Sequence, residues 1–205
     1  MTRDTSASHC PRCGARTARE VPVDDNRERD VCTTCGWVHY DNPRTVVACL
    51  VELEGGLLLC KRAIEPRVGT WTAPGGYLEY GESVQHGAVR ETFEEALAEV
   101  RITAPYAVLD VPHIGQTYVL FRGVLARPGY GAGEESLEVR PFALAEIPWS
   151  ELSFPTLVHA LRWYVEEAAA GVRRVHVASF AWTGAGDRFD AAQYRVEDHL
   201  ATPLA

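Results

Sequence analysis

Glu91, Glu94 and Glu95 stand almost side by side in the stretch VRETFEEAL. On a helix turning about 100° per residue, Glu94 and Glu95 flank Glu91, so all three carboxylates share one face. Glutamates at these spacings destabilise a bare helix by roughly a few tenths of a kcal/mol per pair. A divalent cation reverses that sign, and carboxylates together with water and phosphate oxygens suit Mg²⁺ or Mn²⁺. A solvated acidic face is the plain alternative, but the neighbouring residues weigh against it. Gly76, Glu82 and Arg90 precede the three acids in the spacing G-x₅-E-x₇-R-E-x-x-E-E. The glycine-rich loop PGGYLEYGE runs straight into the helix start, where backbone groups can approach a phosphate or an ion closely. Arg90 can pair with Glu82 and hold that loop against the helix. Such a set is suited to metal-assisted chemistry on phosphates.

A second constellation lies near the start of the chain. Cys10, Cys13, Cys32 and Cys35 follow the spacing C-x₂-C-x₁₈-C-x₂-C, and each pair is followed by a glycine. Tight turns at those glycines aim two thiolates each at one tetrahedral ion, as in a zinc ribbon. Four protein ligands leave no open position, so this zinc is expected to be structural, the core of a segment too short to fold alone. Two structural disulfides are the competing reading, but nothing in the sequence indicates an oxidising compartment. His9 and His39 flank the ribbon as spare ligands. Cys49 and Cys60 fall in apolar runs and read as buried free thiols.

The elements that must position these groups follow from periodicity. TVVACLVELEGGLLLCKRA reads as a hairpin about an EGG turn, and PRVGTWTAPGG reads as a loop. A helix is expected from an N-cap at Ser83 to about Val100. On the wheel Val89, Phe93, Ala96 and Val100 gather opposite the acids, which makes them the expected anchor in the core. YAVLDV, QTYVLFRGVLA and SLEVRPFAL read as strands, and PTLVHALRWYVEEAAA as an amphipathic helix begun by Pro155. Residues 1–41 are expected to form the ribbon, 42–170 an α/β or α+β domain, and 171–205 an extension with one more strand, VRRVHVASFAW, and a mobile tail.

The chain has 205 residues with 46% hydrophobic and 23% charged, ordinary values for a globular protein. Its net charge of −8 disfavours a general binder of nucleic acid or anionic membranes. There is no apolar run long enough to span a bilayer, and the opening MTRDTSASHC lacks the apolar segment of a secretory signal. A cytoplasmic setting is the resulting expectation.

The charged positions match the Nudix box, G-x₅-E-x₇-R-E-U-x-E-E-x-G-U with U aliphatic. The chain therefore resembles the hydrolases that carry this box and cleave a nucleoside diphosphate linked to another moiety. It departs at Thr92, usually aliphatic, at Leu97, usually glycine, and at Ala98, a small residue at the last aliphatic position. The missing glycine bears on how the helix ends, whereas the ligand positions are intact. The ribbon, HYDNPR, CKRAIEPRVGTWTAPGGYLEYGES, VPHIGQTYVLF, GEESLEVRPF and IPWSELSFP extend the resemblance to a zinc-ribbon subgroup that includes a plant chloroplast FAD and ADP-ribose pyrophosphatase. This likeness runs from about Cys10 to Val165.

The resemblance implies an α/β (α+β) fold, a Nudix α/β/α sandwich with a mixed sheet, preceded by a small zinc ribbon. It implies that Glu91, Glu94 and Glu95, with the Gly76 carbonyl, hold Mg²⁺ or Mn²⁺, and that Glu91 orients or deprotonates the attacking water in some relatives. A glutamate on a distant loop completes the metal shell or acts as base in related enzymes; GEESLEVR offers Glu135 first and Glu138 second. Trp71, Tyr77 and Tyr80 border the box loop and could stack on a base, with core packing the alternative for Trp71. Arg62 and Arg67 could contact phosphate, or be ordinary surface cations. The implied partner is a small-molecule nucleotide: FAD or ADP-ribose, cleaved to AMP plus FMN or ribose 5-phosphate. NADH or an NAD-capped RNA end is a competing substrate, although LDVPHIGQTY stands where the zinc-ribbon NADH pyrophosphatases carry QPWPFP. A non-catalytic nucleotide sensor is the reading from another class. Many enzymes of this kind dimerise, so a homodimer is expected by analogy, though no residue fixes it.

Overall fold

A computed structural model describes residues 8–204. The first seven residues, part of the expected ribbon, lie outside the described residues, as does Ala205. The chain divides into two compact units, Met1–Pro43 and Arg44–Ala205.

In the first unit β1 (Thr17–Glu20), β2 (Arg29–Cys32) and β3 (Val38–His39) form a three-stranded antiparallel sheet in the order β1-β2-β3. Val31 and Cys32 are buried. So few apolar side chains cannot make a core, which leaves the cysteines to supply one.

The second unit is built on a mixed sheet in the order β10-β5-β4-β9-β8-β11-β12. Its strands are β4 (Arg44–Leu53), β5 (Gly56–Arg62), β8 (Val100–Val111), β9 (Gln116–Leu125), β10 (Ser136–Ala143), β11 (Arg174–Trp182) and β12 (Tyr194–Pro203). Pairing is parallel between β4 and β9 and between β8 and β11, and antiparallel elsewhere. The β4–β5 hairpin turns at Glu54–Gly55, where Gly55 has φ +76°. Two short strands, β6 (Trp71–Thr72) on β5 and β7 (Gly75–Tyr77) on β4, occupy the stretch expected to be all loop. Proline and glycine masked them, because two or three paired residues leave no periodicity to read.

Helix α1 (Val84–Ala96) lies on one face and α2 (Pro155–Ala170) on the other. Strand alternation sends Val47, Cys49, Val51, Leu58 and Cys60 toward α1, and Leu50, Leu57 and Leu59 into the larger core with α2. The unit is thus an α/β/α sandwich. Residues beyond 171 do not stand apart from it: β11 joins β8 in parallel, and β12, in the stretch expected to be a mobile tail, pairs along β11. No helix among the described residues is long and apolar enough to cross a membrane.

The Ser83 cap is present, its hydroxyl accepting from the His86 N–H at 3.2 Å. The helix ends at Ala96, short of Val100, which opens β8. Leu97, where the box pattern has glycine, adopts the left-handed conformation at φ +47°. The anchoring face also differs from the wheel. Gly87, Ala88, Thr92, Glu95 and Ala96 are buried, whereas Phe93 is 51% exposed. Helix and sheet approach too closely for a phenyl ring, since even a Cβ on Gly87 would come within 3.0 Å of Val47. Thr92 tolerates burial because its hydroxyl donates to the Ala88 carbonyl at 2.6 Å.

On the α2 face a buried ionic chain ties four elements together. The Arg122 guanidinium lies between the rings of Tyr106 and Tyr164 at 4.7 and 4.6 Å. It donates to Glu52 on β4 at 2.9 Å and to Glu167 on α2. Glu167 also bonds His176 on β11 and accepts the Arg174 N–H. Replacing Arg122 by leucine would leave Glu52 to Tyr164 and the exposed Arg173, and Glu167 to His176, and should destabilise the protein by about 3–5 kcal/mol. Urea denaturation measures this; a loss below about 1 kcal/mol would mean that water already compensates the two carboxylates.

Candidate active site and cysteine cluster

Arg90 organises the acidic helix. Its Nε and Nη2 donate to the two oxygens of Glu82 at 3.0 and 2.7 Å, a bidentate pair that pins the loop to α1. Nη2 also reaches the Tyr77 carbonyl at 3.1 Å, and Nη1 reaches Glu91 at 2.8 Å and Glu94 at 2.9 Å. Glu82 in addition accepts the Glu79 N–H at 2.7 Å. These bonds, the Arg90 ones first, hold its carboxyl down at about 2.

The three box glutamates occupy different environments. Glu94 is exposed and Glu91 half-buried, but Glu95 is only 5% exposed and accepts the Gly75 N–H at 3.0 Å. Burial pushes the Glu95 carboxyl up to about 7, helped by the charges of Glu91 and Glu135 and opposed by the Gly75 N–H and Arg62. Burial also raises Glu91. Gly76 lies against Glu91 so closely that a Cβ there would sit 2.6 Å from the carboxylate. Glycine at 76 is therefore what allows backbone and carboxylate to share one spot.

Glu135 is brought to this cluster by glycines. The Gly131 N–H donates to the Ala96 carbonyl at 2.8 Å and the Gly133 N–H to the Glu95 carbonyl at 3.1 Å, occupying acceptors that the helix end leaves free. A Cβ on Gly133 would lie 1.7 Å from the Glu94 carbonyl oxygen. The Glu135 carbonyl accepts the Ala63 N–H at 2.8 Å, and its charge bears on both Glu91 and Glu95. Glu138, one bulge further on, is exposed and pairs with Arg140 at 3.7 Å. The glycines of this loop were the overlooked signal: the sequence reading took its acids and passed over the spacing that docks them.

The residues expected to meet substrate divide. Trp71 is 3% exposed and packs edge-on against Phe142 at 4.8 Å, so it is core rather than a stacking platform. Tyr77 is partly exposed, with the Arg44 guanidinium over its ring at 5.3 Å and its hydroxyl accepting from Gln116 at 2.7 Å. Tyr80 is fully exposed. Arg62 is buried at 8% exposure; its Nε donates to the Pro66 carbonyl at 2.8 Å, and its guanidinium lies over Phe154 at 5.2 Å. Arg67 has φ +70° and lies over Phe189 at 5.4 Å.

The donor set fits hard divalent cations. Arg90 is hydrogen-bonded to three of the acids, Glu82, Glu91 and Glu94, while Glu95 meets the Gly75 N–H, so negative charge is left over. Carboxylate oxygens beside an accessible backbone are the ligands Mg²⁺ and Mn²⁺ take.

In the ribbon the four sulfurs all lie within 4.8 Å of one another, with Cys10–Cys35 at 3.8 Å and Cys13–Cys32 at 3.4 Å. A tetrahedral ion with bonds of about 2.3 Å places sulfurs roughly 3.8 Å apart. The six cysteines are free, so no disulfide forms in either pairing. Gly14 and Gly36, at φ +75° and +69°, close the two turns by donating to the Cys10 and Cys32 carbonyls. Backbone N–H groups of Arg12, Thr34 and Cys35 face the sulfurs of Cys10 and Cys32 at 3.3–3.4 Å. His9 hydrogen-bonds Ser8, and the His39 ring lies tilted against Trp37 at 5.4 Å; neither belongs to the cysteine set.

Two outcomes follow. Gly133→Ala should undock the glycine loop, seen as faster amide exchange at 131 and 133, and should lower turnover roughly tenfold or more by misplacing Glu135; unchanged exchange would show that the loop docks without that close approach. Glu95→Gln should stabilise the metal-free protein at about pH 8. The folded carboxyl titrates above an unfolded glutamate, so its ionisation opposes folding fully above about pH 7, and the penalty lifts as pH falls toward about 4.3. A gain on the order of 1–3 kcal/mol is expected at the upper end, shrinking on acidification. Thermal melts in EDTA check it, and a difference independent of pH would overturn the burial argument.

Family comparison agrees with this geometry. The family model described as NUDIX domain matches residues 41–164, and that described as Nudix N-terminal, a zinc ribbon, matches residues 8–41. The crystal structure of a Nudix hydrolase from Nitrosomonas europaea is 42% identical, with a TM-score of 0.80 over 84% of this chain and 98% of that one. An ADP-ribose pyrophosphatase of Methanocaldococcus jannaschii is 39% identical over 56 residues, 27% of this chain and 33% of that protein. The human 8-oxo-dGDP phosphatase is 29% identical over 159 residues, 77% of this chain and 45% of that protein. The chain thus spans a third to under half of these two curated relatives. With its box glutamates gathered about Arg90 and the domain match covering more than half its length, the chain belongs to the Nudix hydrolase family.

Proposed function

We propose that the protein hydrolyses the pyrophosphate bond of a nucleoside diphosphate derivative, FAD or ADP-ribose, releasing AMP with FMN or ribose 5-phosphate. The observation that carries this reading is the placement of Glu91 against Gly76 and of Glu95 on the Gly75 N–H, with the charges of Glu94 and Glu135 bearing on Glu91. NADH or an NAD-capped RNA end is the second reading: it would use the same carboxylates, and LDVPHIGQTY, standing where the NADH pyrophosphatases carry QPWPFP, weighs against it.

Divalent cations held by Glu91, Glu94, Glu95 and the Gly76 carbonyl would neutralise the phosphate oxygens and acidify a bound water. The protein's own groups do the rest. Arg90 fixes the carboxylates of Glu91 and Glu94, so that they do not swing apart under mutual repulsion. The glycines at 75 and 76 let the β7 backbone come close to β4 and to the Glu91 carboxylate. Glu135, exposed on a loop fastened to the end of α1, would take the proton of the attacking water, with Glu91 the alternative base. Zinc, held by Cys10, Cys13, Cys32 and Cys35, serves the ribbon's fold. A reducing, cytoplasmic setting suits the four zinc-binding cysteines and the free thiols of Cys49 and Cys60.

Purified protein should contain one zinc per chain and, with Mg²⁺ or Mn²⁺, release AMP from FAD or ADP-ribose. EDTA should abolish release, and Glu94→Gln or Glu95→Gln should lower it roughly a hundred-fold or more. Chromatography of products from FAD, ADP-ribose, NADH, coenzyme A and dinucleoside polyphosphates decides the substrate. No hydrolysis of any of them would leave a nucleotide sensor, and wild-type rates in both variants would remove the glutamates from the chemistry.

A further inference from the structure

The family match stops at residue 164, and the segment after it contributes side chains to a cluster that neither the box nor the ribbon explains. The connection between β11 and β12 folds back on itself. The Thr183 N–H donates to the Gln193 carbonyl at 2.9 Å, the Phe189 N–H to Asp187 Oδ1 at 2.9 Å, and the Tyr194 hydroxyl to the Arg188 carbonyl at 2.9 Å. Arg188 and Phe189 are therefore held in place rather than left loose.

The Phe189 ring lies 6.4 Å from that of Phe154, the residue before α2, and carries the guanidinium groups of Arg67 at 5.4 Å and Arg188 at 4.9 Å. Phe154 carries Arg62 at 5.2 Å. None of these arginines forms an ion pair with a carboxylate among the described residues, although the chain carries a net charge of −8. Two nearby acids are engaged by backbone instead: Glu65 accepts the Arg67 N–H, and Asp187 the Phe189 N–H. Arg67 Nε is buried with no hydrogen-bond partner, and its backbone is held in the left-handed region. Gathering like charges this way, one with an unmet donor, costs stability unless an anion completes the set.

The cluster also adjoins the proposed reaction centre. Arg62 ends β5 opposite Ser136, the residue after Glu135, and the Ala63 N–H bonds the Glu135 carbonyl. Guanidinium groups beside half-exposed aromatic rings match a phosphate attached to a planar base.

We propose that Arg67, Arg188 and Phe189, with Arg62 and Phe154, form a subsite for the base-bearing nucleoside 5′-phosphate half of the substrate. The segment after α2 then contributes to which diphosphate is cleaved. This rests on the pyrophosphatase reading above and adds the residues that select its substrate.

The test is calorimetric titration of the full-length, zinc-loaded protein with AMP, adenosine and ribose 5-phosphate, with Mg²⁺ and Mn²⁺ omitted, alongside KM and kcat for FAD and ADP-ribose with Mg²⁺. AMP should bind at least about tenfold more tightly than either fragment, because only AMP offers both ring and phosphate. Phe189→Ala and Arg188→Gln should each weaken AMP about tenfold and raise KM more than they lower kcat. Arg188 is exposed, so its variant keeps the test open should Phe189→Ala fail to fold. Unchanged AMP affinity and KM in both variants of an active enzyme would overturn the subsite and leave the activity standing. Ribose 5-phosphate binding as tightly as AMP would overturn the role of the rings. A wild-type protein that binds AMP but hydrolyses nothing would sink the pyrophosphatase reading and retain the subsite.

Discussion

Carboxylates crowded onto a single turn of helix repel one another, and most of what surrounds α1 can be understood as a response to that repulsion. Arg90 answers it for Glu82, Glu91 and Glu94 through hydrogen bonds of 2.7–3.0 Å. Glu95 lies beyond its reach and is met by one backbone N–H at Gly75. The protein thus tolerates an acid whose ionised form is disfavoured where it stands, the condition under which a bound cation is most strongly favoured. The glycines at 75, 76 and 133 belong to the same response. Each marks a place where backbone must come nearer to the helix or the sheet than a side chain would permit.

The two faces of the sheet answer different needs. Between α1 and the sheet the closest side chains are small or soft: Ala88 and Ala96 on the helix, Cys49 and Cys60 on the strands. This brings the helix down until its acids meet the β7 backbone. Beneath α2 the core is large and aromatic, and it encloses the Arg122–Glu167–His176 chain. Those ions add little net stability by themselves, since buried pairs seldom recover their desolvation cost. Their value lies in geometry: they join β4, β9, α2 and β11 at fixed points, so that the β11–β12 pair is seated against the rest of the unit.

Charge and spacing made the site legible in the sequence. The G-x₅-E-x₇-R-E-x-x-E-E spacing identified the loop and helix that come together, and the paired cysteines identified the ribbon. Compactness was harder to read. A helical wheel weighs hydrophobicity and says nothing of how near the opposing surface comes, so it chose Phe93 over Thr92 for the core and displayed Glu95, which is buried. Trp71 likewise looked available because glycine and proline surround it in the sequence, yet it lies in β6 itself, paired to β5 and packed against Phe142, Lys61 and Arg140. The β12 strand escaped notice because its residues are mostly exposed, leaving no alternation to mark it.

Strand β4 holds a further implication. Its odd-numbered residues, Val47, Cys49 and Val51, serve one hydrophobic layer, while Leu50 and Glu52 serve the other. Removing a single amino acid from its middle would exchange these allegiances for everything downstream. The carboxylate of Glu52 would then point among the thiols, and Arg122 would face a hydrocarbon. Evolutionary change in length is therefore barred from this strand and diverted to the turns, whatever substitutions its individual positions accept.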